Sequence, residues 1–137
     1  MGDAVLTQVA EEISLSFPRE PDSVPAARAA LARFEHELPA STLYDASLCL
    51  SELVTNAVQH PSEDAGDELH LELTYQGGVL RVQVIDPGVG FRPGPPKQGD
   101  ERGWGLFIVD QLSTSWGHEP GDERTIMWFE MVPESDD

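Results

Sequence analysis

The stretch Leu50-Ser51-Glu52-Leu53-Val54-Thr55-Asn56-Ala57-Val58-Gln59-His60 decides how the rest of the chain is read. Apolar residues at 50, 53, 54, 57 and 58 recur at helical spacing, and Leu43 extends the same face upstream. Thr42-x-x-Asp45 resembles a capping box, so the helix is expected to start at Ser41 or Thr42 and to stop at Pro61. Glu52, Asn56 and His60 stand four residues apart and share a second, polar face. A carboxylate and an amide on a largely buried helix need partners. Taken alone, the pattern also fits a solvated i, i+4 pair, with His60 favourably placed at a helix C-terminus.

Outward from this helix, both flanks carry alternation. Ile13, Leu15 and Phe17 alternate in a first strand. A helix is expected from Ser23, a candidate N-cap, with Pro25 in its first turn. Val24, Ala27, Leu31, Phe34 and Leu38 fall on one face of it, and Pro39 ends it. After the polar tract 62–68, Leu69, Leu71, Leu73 and Tyr75 alternate. Gln76-Gly77-Gly78 turns the chain, and Leu80, Val82 and Val84 return, which predicts a hairpin. Residues 91–103 carry Pro93, Pro95 and Pro96 with no apolar period, and read as a surface loop. A short helix follows through Ser115, with Leu106, Val109 and Leu112 inward, and Arg124–Val132 reads as a last strand. The pattern is α+β, with antiparallel strands and helices packed on one face.

The length of 137 residues fits one domain, 1–137, with its core at about 13–132. The net charge of −17 opposes contact with a nucleic-acid duplex or an anionic membrane; a protein partner with a basic face fits it, although such acidity is more often a solubility feature. No run approaches the roughly 18 consecutive apolar residues of a membrane span. Residues 1–12 lack the basic n-region of a secretory signal. Cys49, the single cysteine, reads as a core thiol. A cytoplasmic location is expected.

Two further segments carry chemistry. In Val84-Ile85-Asp86-Pro87-Gly88-Val89-Gly90-Phe91, a carboxylate at a strand end can accept a hydrogen bond from the exocyclic amine of adenine. Gly88 and Gly90 would let the backbone approach a flat base, although an ordinary Asp-Pro-Gly turn explains the same residues. In Glu101-Arg102-Gly103-Trp104-Gly105-Leu106, two glycines are expected to open a helix whose first N–H groups can cradle phosphates. Arg102 could add a charge-assisted contact, and Lys97 or Arg92 could reach in from the loop. Neither GxxxxGK[ST] nor GxGxxG occurs. Within the first segment, the Asn56 oxygen suits magnesium, which takes few protein oxygens beside phosphates and waters. The Glu52 carboxylate could accept the proton of a hydroxyl attacking a γ-phosphate.

The order of these segments resembles the N, G1 and G2 boxes of the GHKL (Bergerat-fold) ATPases. The phrases LSELVTNAVQH, DPGVGF, RGWGLFIVDQLSTSWG and RTIMWFEM resemble in particular the anti-sigma-factor serine/threonine kinases and their single-domain actinobacterial relatives. The likeness runs from about Ser16 to Val132. It implies a two-layer α/β sandwich with a mostly antiparallel, mixed sheet, and it implies ATP and Mg2+ as cofactors. It makes Glu52 the catalytic base, Asn56 the magnesium ligand and Asp86 the adenine reader. Gly88 and Gly90 become the G1 glycines, and Arg102, Gly103, Trp104, Gly105, Leu106 and Thr125 further nucleotide contacts. Residues 91–102 correspond to the ATP lid. The implied partners are a STAS-domain anti-anti-sigma protein, a sigma factor, and a second copy in a homodimer. The chain departs from the family in its short, proline-rich lid and in Trp104, where relatives carry a small residue or arginine. A bulky indole there bears on phosphotransfer more than on binding, so a non-catalytic ATP-sensing module is the alternative reading.

Overall fold

A computed structural model describes residues 11–59, 67–87, 101–120 and 124–133. In chain order the elements are β1 (Glu11–Pro18), α1 (Ser23–Leu31), a 3-10 turn (Ala32–Phe34) and α2 (Ala40–Gln59). Then come β2 (Glu68–Gln76), β3 (Val79–Asp86), α3 (Glu101–Leu112), β4 (Ser115–Pro120) and β5 (Thr125–Met131). The five strands form one sheet in the order β1-β2-β3-β5-β4. Every pairing among the described residues is antiparallel, in an α+β fold with the helices on one face of the sheet.

Alternation explains the layering. Ile13, Leu73, Val82, Phe129 and Trp116 stand opposite one another in a row across all five strands. With the neighbouring rows they form the face that packs against the helices, because side chains two apart share a face. α2 packs between α1 and α3 and also touches β3 and β5. Its Leu50, Leu53 and Val54 enter the core with Leu31 and Phe34 from the α1 segment and Val109 from α3. The opposite sheet face is mixed: buried Ile85 and Ile126 stand opposite one another, while Arg81 pairs with Glu130 at 2.9 Å and stacks 4.3 Å from the Trp128 ring centroid. Gly117 lies under that indole, where an added Cβ would stand 3.0 Å from a ring carbon.

The hairpin turn lies at Gly77 and Gly78, with φ of 60° and 80°, the pair of positive values that a two-residue type I′ connection requires. Four expectations are corrected. Ser23 is the first helical residue rather than the N-cap, and its Oγ donates to the Pro18 carbonyl at 2.6 Å. The α-helical part of that segment ends at Leu31, and Phe34 and Leu38 are buried through the 3-10 turn and the bend after it. α2 begins at Ala40, so Thr42 and Asp45 lie inside it and form no capping box at its start. α3 ends at Leu112, and residues 115–120 form an unanticipated edge strand on β5.

Candidate functional site

The site grows from the C-terminal end of β3. Asp86 continues the Leu80, Val82, Val84 alternation, so it lies on the helix-facing side, and it is buried. Opposite it in register stands Thr125, the first residue of β5, on the same face as Met127 and Phe129 and also buried. Asn56 comes from α2 on the other layer and is 4% exposed. Leu53, Asn56, Ala57, Val84, Asp86, Thr125 and Met127 line a common cavity of about 10 Å³, the size of one water molecule. Three polar side chains predicted from separate segments thus meet at one point, where the sheet ends beneath the helix.

Asn56 Nδ2 is buried and has no hydrogen-bond partner among the described residues. An unpartnered buried N–H donor costs about 1–3 kcal/mol, and a water or the acceptor atom of a ligand in the cavity would satisfy it. Among the described residues no group of three or more His, Cys, Asp or Glu could hold a metal ion. An ion here would therefore rely on the Asn56 amide oxygen, phosphates and waters, which suits magnesium. Glu52, one turn before Asn56, is partly exposed, and burial raises its carboxyl above the ordinary 4.5. That shift moves a carboxylate toward the range of a useful general base. Burial, helped by the Asp45 and Glu52 charges, pushes the Cys49 thiol up to about 12, which makes it a core thiol as expected.

α3 starts at Glu101, so Gly103 and Gly105 are its third and fifth residues and do not precede it. The first four N–H groups of a helix are left without intrahelical acceptors. Gly103 therefore stays among the prospective phosphate donors, whereas the Gly105 N–H is in position to bond back to Glu101. Leu106 is buried in the core. The side chains of Arg102 and Trp104, and residues Gly88, Gly90, Arg92, Lys97 and His60, lie outside what the structure describes.

One site residue escaped the sequence reading. Arg19, just after β1, reaches Asp86 through a paired contact, Nη2 to Oδ1 at 2.9 Å and Nη1 to Oδ2 at 3.4 Å. In Phe17-Pro18-Arg19-Glu20-Pro21 it looks like a turn residue, and no local pattern links it to a carboxylate 67 positions away.

A buried Asp–Thr pair at the adjoining ends of β3 and β5, faced by Asn56 from α2, makes a polar corner in an otherwise apolar α+β sandwich. Residues 17–130 match the family described as the histidine kinase-like ATPase domain, and the chain belongs to that family. Among solved structures, it is similar to the RsbU and RsbW domains of Rv1364c from Mycobacterium tuberculosis. That match has a TM-score of 0.69 and 21% identity, covering 90% of this chain and 32% of the other. It is also similar to the histidine kinase domain of the blue-light activated histidine kinase of Erythrobacter litoralis, at a TM-score of 0.58 and 23% identity. There the coverage is 85% of this chain and 62% of the other. At these identities the likeness is one of fold. No curated protein matches the chain. No helix among the described residues is long and apolar enough to cross a membrane.

Proposed function

We propose that the protein is an ATP-binding regulator, specifically a serine/threonine kinase of the anti-sigma type that phosphorylates a STAS-domain partner. The observation that carries the nucleotide reading is the buried Asn56, whose Nδ2 has no partner among the described residues, beside Asp86 and Thr125 in a chain of the histidine kinase-like ATPase family. Asp86 accepts a hydrogen bond from the exocyclic amine of adenine. Thr125 adds a hydroxyl to the same floor, and the Asn56 oxygen holds magnesium. Bound Mg·ATP supplies the phosphoryl group and neutralises its charge. Glu52 orients a hydroxyl of the partner and takes its proton, a role that its raised pKa supports. The fold shared with the RsbW region of the mycobacterial protein supports the anti-sigma assignment, as does the RGWGLFIVDQLSTSWG phrase. A homodimer, and control of transcription through protein binding, follow from the same reading.

Titration of Mg·ATP into the wild-type protein and Asp86→Ala tests the nucleotide claim. The wild type is expected to bind saturably and the variant about tenfold or more weakly, the loss expected for a hydrogen bond to a charged acceptor. Equal affinity in both, or no binding to the wild type, overturns it.

A further inference from the structure

The Arg19 guanidinium ties three elements together, α2, β2 and β3. Its backbone N–H donates to the Asp67 carbonyl at 2.8 Å, which anchors the residue beside the start of β2. From there Nη2 reaches the Glu68 carbonyl at 3.5 Å, and Nη1 donates to the Ala57 carbonyl at 2.7 Å. Ala57 lies in the last turn of α2, where carbonyls lack intrahelical donors. The residue four positions on is Pro61, which has no N–H to give. Both nitrogens also engage Asp86, and the side chains of the pair are 9% and 8% exposed.

The side from which Arg19 approaches decides what it does. β3 lies between β2 and β5. Arg19 comes from the β2 side, whereas Thr125 and the cavity lie toward β5, and Arg19 is not among the residues lining that cavity. It therefore stands behind Asp86 rather than between Asp86 and a ligand. A carboxylate offers about four acceptor positions. Arg19 takes one on each oxygen, and these two bonds alone do not exhaust the carboxylate.

We propose that Arg19 is a positioning residue for base recognition, fixing the Asp86 carboxylate in one orientation as an acceptor. The site then selects a purine that presents an exocyclic amine over one that presents a carbonyl oxygen. This inference rests on the reading of Asp86 as the base-reading residue. A planar fork suits the task better than a lysine, because two N–H groups fix the carboxylate plane and a single ammonium does not.

The test compares binding of ATP and inosine triphosphate, whose base carries oxygen in place of the amine, to wild type, Arg19→Lys and Arg19→Met. The wild type is expected to prefer ATP. Arg19→Met is expected to bind ATP about tenfold more weakly and to bring the ATP-to-inosine-triphosphate ratio toward one, with Arg19→Lys between them. Thermal unfolding of each variant separates this from a structural role, which lowers Tm but leaves the ratio alone. If Arg19→Met does not fold, the ratio in Arg19→Lys decides. A wild type that discriminates while its folded variants keep the same ratio overturns this inference alone. A wild type that binds neither nucleotide overturns the ATP reading, and this inference with it.

Discussion

Two rows of side chains on the same face of the sheet behave in opposite ways. In the middle, Ile13, Leu73, Val82, Phe129 and Trp116 form an apolar band that meets the helices. Four residues further along β3, past Val84, the band gives way to Asp86 and Thr125, still buried and still beneath α2, with Asn56 facing them. The backbone geometry is the same in both places. The difference is that the apolar row is complete in itself, whereas the polar row needs donors and acceptors from elsewhere. Arg19 supplies some for Asp86, and Asn56 Nδ2 has no partner among the described residues. Burial thus builds the fold in one row and a site in the next.

The sharpest way to break this contrast is Phe129→Ala. Phe129 is fully buried in the middle row, and its truncation is expected to cost about 3–5 kcal/mol in chemical denaturation. A loss under about 1 kcal/mol would mean that the apolar row does not carry the fold. Asn56→Ala should act the other way round. Removing an orphaned amide offsets the lost packing, so stability should stay within about 1 kcal/mol of wild type while Mg·ATP affinity falls about tenfold or more. A large loss of stability with binding intact would place Asn56 in the core instead of the site.

The smallest effect is expected from Glu52→Gln. Burial raises the Glu52 pKa in the folded state above 4.5, so the fold favours the protonated form. Below the unfolded value this costs nothing, and stability is lost as pH rises through the folded value. The glutamine variant should therefore melt slightly higher than wild type at pH 7, and the gap should close as pH falls below about 4.5. The same variant should keep Mg·ATP and lose phosphoryl transfer to a STAS partner. A gap that does not change with pH would trace the stabilisation to packing, and undiminished transfer would remove Glu52 from the proton-transfer role.

Much of the fold was legible because it is written in alternation. β1, the β2–β3 hairpin and β5 each repeat apolar residues at period two, and Gly77-Gly78 marks the turn between two of them. β4 was not legible: Ser-Trp-Gly-His-Glu-Pro offers one large apolar residue and two strand-unfriendly ones. It forms at the sheet edge, where β5 supplies the pairing. The helix boundaries slipped for a related reason. Thr42 and Asp45 mimic a cap, but Pro39 already permits a start at Ala40. Of the polar residues that line the cavity, Asn56 and Asp86 could be read from local phrases, and Thr125 only from the family resemblance. Arg19 could not, because only the strand order β1-β2-β3 carries it to Asp86.

The place where the floor of the site falls along the chain has a mechanical consequence. The chain leaves β3 at Asp86 and comes back beside it at Thr125, the first residue of β5, with α3 and the edge strand β4 in between. A molecule bound across those two residues clasps both ends of that excursion, like a pin through the two leaves of a hinge. Closing a loop in this way removes configurational freedom that the excursion would gain on fraying. Occupancy should therefore be felt as slower amide exchange along β4, an edge strand that touches none of the cavity's lining through the sheet except by way of β5.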